Sequence, residues 1–126
     1  MATKNVTFDP DSGVPYGANL SIYGGTDFST IFNVKTTSNT AFDLTSYSGA
    51  GAIAKSVAVG ATLGATDTFT VGFTSAYDGK IKISLTDTET SALTEGRYVY
   101  DVLVTVGSST YPLVRGNVNV YNTISS

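Results

Sequence analysis

Apolar side chains in this chain recur at every second position, run after run, and no segment sustains the 3.6-residue period of an amphipathic helix. That alternation limits the chain to strands with one wet face and one dry face. It is plainest in Lys80–Leu85, where Ile81, Ile83 and Leu85 alternate with Lys80, Lys82 and Ser84. Just before it, Phe69, Val71 and Phe73 alternate with Thr68, Thr70 and Gly72, and Tyr77-Asp78-Gly79 turns the chain between the two. In residues 97–106, Tyr98, Tyr100, Val102, Val104 and Val106 share one face, with Val99, Asp101, Leu103 and Thr105 on the other. Both faces are apolar enough to place this strand centrally in a sheet.

The remaining runs are 18–23, 27–35, 49–59 and 110–121. In 27–35, Phe28, Thr30, Phe32 and Val34 lie in phase; in 49–59 it is Ile53, Val57 and Val59; in the last run, Val118 and Val120. Punctuation comes from Gly24-Gly25, a short tandem turn over 60–67 and a hairpin loop at Gly107-Ser108-Ser109. Pro112 falls near a strand start, where a missing N–H is tolerated. Thr86-Asp87-Thr88-Glu89 is a capping box, expected to open a turn or two of helix that carries Ala92 and Leu93 and stops at Gly96. Strands in succession with short connections predict an all-β domain, an antiparallel sandwich or small barrel of about seven strands. Crossover helices are missing, which argues against a parallel α/β fold. Residues 1–17 are polar, hold Pro10 and Pro15, and predict an extended N-terminal arm ahead of a single domain over 18–126.

Composition matters most for what it removes. The 126 residues include no His and no Cys. The commonest general base and metal ligand is therefore missing, as are thiolate chemistry and disulfides. No serine sits in Gly-x-Ser-x-Gly. Asp87 and Glu89 suit a helix start better than a glycosidase pair. Asp9-Pro10-Asp11-Ser12-Gly13 has the opening of a calcium loop, but Leu20 stands where a ligating Glu belongs, so a turn is expected. The chain is expected to be non-enzymatic, with no catalytic residue, no cofactor and no metal. Charged residues make up 13%, with net charge −3, and the seven basic residues form no patch. Nucleic acid and anionic membranes are poor partners for such a chain. No secretion signal or membrane-length apolar run is expected to operate, so Asn5-Val6-Thr7 and Asn19-Leu20-Ser21 are not expected to be glycosylated. A soluble product of the cytoplasm follows, unless it leaves in a larger particle.

Eight tyrosines and no Trp remain as the suggestive feature. Tyr joins a large apolar face to a polar tip and suits interfaces. Tyr16, Tyr23, Tyr47 and Tyr77 fall at run ends or turns. With Phe8 in the arm and Tyr121 at the end of the last run, they are the candidate interface residues. Sugar binding calls for clustered polar residues as well, and the linear sequence displays no such cluster.

Two resemblances sharpen these expectations. Residues 93–100, Leu-Thr-Glu-Gly-Arg-Tyr-Val-Tyr, have the spacing of the immunoglobulin-type tyrosine corner. Tyr98 takes the corner role and Tyr100 stands at the position of the second Cys. The stretch Gly96-Arg97-Tyr98-Val99-Tyr100-Asp101-Val102, continuing to Leu113-Val114-Arg115-Gly116-Asn117-Val118-Asn119-Val120, is similar to virion proteins of tailed bacteriophages. It resembles the small β-sandwich modules at the N-termini of baseplate upper proteins and small virion proteins of cyanophages. Ile22-Tyr23-Gly24-Gly25-Thr26-Asp27-Phe28-Ser29 and Phe42-Asp43-Leu44-Thr45 extend the likeness over most of the chain. The resemblance implies an immunoglobulin-like sandwich and a non-enzymatic virion component, for which tail, baseplate or neck is the preferred place. Its partners would be other virion proteins or further copies of itself. A capsid decoration protein on the head and a glycan-binding module for host attachment are the alternatives.

Overall fold

The computed structural model describes residues 2–11, 13–55 and 67–122. Nine strands and one short helix follow in order: β1 Ala2–Thr7, β2 Tyr16–Gly17, β3 Leu20–Tyr23, β4 Phe28–Lys35, β5 Ser48–Lys55, β6 Asp67–Ser75, β7 Lys80–Leu85, α1 Asp87–Ser91, β8 Gly96–Val106 and β9 Ser109–Tyr121. Val57, Val59 and the tandem turn over 60–66 lie outside the described residues.

The strands form one nearly closed, mixed sheet in the order β1-β4-β7-β6-β5-β8-β9, with β2 and β3 both on the far edge of β9. β6 makes the sheet continuous, because its start pairs with β5 at Asp67–Phe69 and its remainder pairs with β7. β8 is central, as its two apolar faces predict, with β5 on one side and β9 on the other. The expected all-antiparallel pairing is corrected at the two ends: β1 runs parallel to β4, and β2 and β3 run parallel to β9. Parallel neighbours need a long connection. The chain supplies it without a helix, by sending residues 16–23 to the opposite end of the sheet between β1 and β4.

The expected N-terminal arm is also corrected. Ala2–Thr7 is a strand in register with Thr30–Lys35. Val6 is fully buried and Phe8 is 3% exposed. Phe8 plugs one end of the interior, its ring 5.0 Å from that of Phe42 and 6.1 Å from that of Tyr111. Two apolar residues spaced i, i+2 in a polar segment carry a weak period-2 signal, and the strand becomes stable only against β4.

Alternation holds through the interior. Thr30, Phe32 and Val34 of β4, Ile81, Ile83 and Leu85 of β7, and Tyr98, Tyr100, Val102 and Val104 of β8 are all buried. The register shifts twice, in β6 between Phe73 and Ser75 against β7, and in the β8–β9 ladder. Val102 pairs with Val114 but Leu103 pairs with Pro112, so Leu113 is an extra residue and is buried together with Val114. A bulge beside a proline fits, since Pro112 has no N–H for the ladder. The β8–β9 turn uses Gly107 at φ 59° ahead of Ser108, as a two-residue type II′ loop requires. Helix α1 opens on the expected capping box: Glu89 N donates to Thr86 Oγ1 at 3.2 Å and Thr86 N to Glu89 Oε1 at 2.9 Å. It ends at an Ala92 cap, before Gly96, which instead begins β8. Buried Thr90 ties the helix to the β3–β4 turn, accepting from Gly25 N and donating to Thr26 O.

Tyr98 makes a hydrogen bond back to the chain just upstream. Tyr98 is 1% exposed, and its Oη donates to the Thr94 carbonyl at 2.9 Å. Tyr100 reaches further. It stands opposite Gly116 in the β8–β9 ladder and crosses that empty position to donate to the Ala18 carbonyl at 2.7 Å. Burial raises the Tyr100 phenol above the usual tyrosine range. The unfolded chain would ionise this group near pH 10 while the fold holds it neutral. The stabilisation is therefore complete below pH 10 and is lost as the pH rises beyond it. Alkaline unfolding followed by circular dichroism should set in above pH 10, and Tyr100→Phe should move it upward. At neutral pH the same substitution strands the Ala18 carbonyl and should cost about 1–3 kcal/mol. An unchanged alkaline midpoint in Tyr100→Phe would show that another group governs it.

Candidate docking and ligand surface

The structure divides the six expected interface residues. Phe8 is not available for docking, because it is part of the core. Tyr47 is half-buried in the same cluster, its ring 6.0 Å from that of Phe42, and burial with the nearby Tyr111 raises its phenol. An aromatic residue at a run end was expected to face water, but the Tyr47 ring packs on Phe42 against the core instead. The other four are exposed: Tyr16 at 41%, Tyr23 at 53%, Tyr77 at 75% and Tyr121 at 42%.

Only two of these come together. Tyr23 ends β3, Tyr121 ends β9, and they are direct partners in the parallel register. Their rings stack at 5.4 Å between centroids with 28° between planes. The sequence carries no signal for this pair, since nothing local says that residues 20–23 run beside residues 118–121. Tyr77 sits apart in the β6–β7 turn, and Tyr16 lies on β2.

A groove of about 630 Å³ opens between β3 and the β1–β4 pair, where the two ends of the sheet face each other. Tyr23 forms one wall. Leu20 and Phe28 contribute apolar surface, while Lys4, Asn19, Ser21, Asp27 and Ser29 bring polar groups. Two of those polar groups are held in place by the backbone. Asp27 Oδ1 accepts from Asp87 N at 2.9 Å, at the start of α1, and Asn19 Oδ1 accepts from Asn117 N at 3.1 Å, across to β9. The Asn19 bond substitutes for the ladder between β2 and β3, where Ala18 leans over Gly116. None of these polar residues was expected to act together. The one available hint was Ser21 sharing with Tyr23 the solvent phase of its strand.

Among the described residues, no three His, Cys, Asp or Glu side chains gather as a metal site would need. Asp9 Oδ1 accepts from Asp11 N at 3.1 Å, the hydrogen bond of a turn. No described helix is long and apolar enough to cross a membrane.

No known family model matches the chain, and no curated protein matches its sequence. Among solved structures, the fold is similar to the N-terminal domain of phage TP901-1 ORF48. The likeness covers 96% of this chain and 99% of that one, with a TM-score of 0.57 at 10% identity. At that identity the two share a fold, a small all-β domain of matching length.

Proposed function

We propose that the chain is a non-enzymatic structural protein of a tailed-phage virion that works by docking on neighbouring subunits. The observation that carries this is the end-to-end similarity in fold to a domain of a phage protein. The resemblance of residues 22–45 and 93–120 to virion proteins adds to it. The finer architecture we take as immunoglobulin-like: two layers, β1-β4-β7-β6 and β5-β8-β9 with β2 and β3, joined at β5–β6. The Tyr98 corner supports that assignment.

Docking would use the free edges of the sheet and the exposed tyrosines. Among the described strands, β1 pairs only with β4 and β3 only with β9, so each leaves backbone N–H and C=O groups on its outer side for a neighbour. A tail, baseplate or neck position is preferred, and decoration of the head is the alternative. Further copies of the chain are candidate neighbours. Nucleic acid and membranes are not, on the charge argument above.

The purified protein should be weighed by light scattering and then located by antibody labelling on intact virions. A defined ring or trimer with label at the tail end is the expected result. Label scattered over the head would move the protein to decoration. Particles without any label would remove the virion role.

A further inference from the structure

The groove between the two ends of the sheet has the chemistry of a ligand site as well as the size. Its volume of about 630 Å³ lies within the ~300–1,000 Å³ typical of small-ligand clefts. Apolar surface from Leu20 and Phe28 is bordered by Lys4, Asn19, Ser21, Asp27 and Ser29, and Tyr23 stands at its wall with Tyr121 stacked on it. A sugar ring presents the matching pair of surfaces: a face of C–H groups that packs on an aromatic ring, and a rim of hydroxyls that both donate and accept. Aromatic residues with one apolar face and one wet end suit such a contact.

We propose that this groove binds a neutral saccharide, with a sugar ring against Tyr23, which Tyr121 backs, and its hydroxyls on Asp27, Asn19 and Ser21. Three observations favour that ligand. Lys4 and Asp27 bring one charge of each sign, so the groove selects for neither polyanions nor polycations. The Asp27 carboxylate and the Asn19 amide are each fixed by a backbone hydrogen bond through Oδ1, and among the described residues Asp27 Oδ2 remains to accept and Asn19 Nδ2 to donate. Polar groups held before the ligand arrives lower the ordering cost of binding. An extended peptide would need a row of apolar pockets for alternate side chains, whereas six of the nine lining residues, besides Tyr23, carry charged, amide or hydroxyl groups: Lys4, Asn19, Ser21, Asp27, Ser29 and Thr30. The site goes beyond the docking role and does not rest on it.

The test uses the full chain, multimerised on an array of neutral oligosaccharides, followed by titration of the best-bound sugar into ¹⁵N-labelled monomer. The expected result is binding with amide shifts centred on Lys4, Ser21, Tyr23 and Asp27. Tyr23→Ala, at an exposed position, should weaken it by about tenfold or more, while Tyr77→Ala leaves it unchanged. Ser21→Phe, which fills the groove from the solvent face of β3, should also abolish it. Failure to bind any sugar, binding that survives both groove variants, or recognition of peptides alone would overturn the proposal. Virion incorporation of the same variants is scored separately, so loss of sugar binding and loss of docking are told apart.

Discussion

Removal of residues 1–8 should unfold the domain rather than leave it intact and unable to assemble. The segment contributes a whole strand to the ladder with β4 and two side chains to the interior, Val6 and Phe8. Phe8→Ala alone should cost about 3–5 kcal/mol, the usual range for deleting a buried phenyl group. Its neighbours Phe42 and Tyr111 belong to different parts of the fold and cannot both close over the space. Native domains have only about 5–15 kcal/mol in total, so loss of Phe8, Val6 and the β1–β4 pairing together should exhaust most of it. Urea unfolding followed by fluorescence or circular dichroism reads the effect. Thr3→Ala, on the exposed side of the same strand, should stay within about 0.5 kcal/mol of the parent. A truncated chain with the parental midpoint would restore residues 1–17 to the status of a detachable arm.

Gly116→Ala should be almost as damaging, although it adds a single methyl group to a β-strand. A Cβ at this position would fall on the Ala18 carbonyl oxygen, with the Ala18 carbonyl carbon 2.7 Å away and Asn19 Oδ1 at 3.2 Å. These are backbone and hydrogen-bonded atoms, not the yielding tip of a flexible side chain. The carbonyl in question also accepts the Tyr100 hydroxyl. Moving it aside breaks that bond and pushes β2 and β3 off the edge of β9. Overpacking of this kind costs about 1–3 kcal/mol, and loss of the partly buried hydrogen bond adds about 1–3 kcal/mol. Gly72→Ala is the matched control. Nothing lies within 4 Å of the Cβ it would gain, and its strand position is exposed. That change should be neutral or stabilise by up to about 1 kcal/mol, because it narrows the unfolded ensemble. Equal stabilities for the two alanine variants would mean that Ala18 does not close over Gly116. Gly116→Ala should also weaken any ligand in the groove, since Asn19 is positioned by the same crossing of chains.

These two expectations mark where local reasoning stops. Lys80–Leu85 could be read to the residue because its alternation is strict and its charges all lie in one phase. Central β8 was legible from its two apolar faces, the helix start from its capping box, and the upstream hydrogen bond of Tyr98 from its spacing to Thr94. Each rests on interactions between residues close in sequence, or on a period that every inward side chain must obey. The β9 bulge was not legible, because Leu113 and Val114 read as a continuous apolar pair until the partner strand shows which of them is extra.

The groove and the stacked pair were the least legible. Lys4, Asn19, Ser21, Asp27 and Ser29 show no cluster when read along the chain, and Tyr23 and Tyr121 stand at opposite ends of it. The sequence alone therefore determined that the chain is all-β, which faces of its best strands are dry, and that it holds no His and no Cys. Only the tertiary structure decided that Val6 and Phe8 belong to the core, and that β3 closes on β9 in parallel. It also decided that the two ends of the sheet meet across a polar groove. Side-chain period is set locally by the pleat, whereas the pairing of edge strands depends on burial and backbone hydrogen bonds that exist only once distant segments meet.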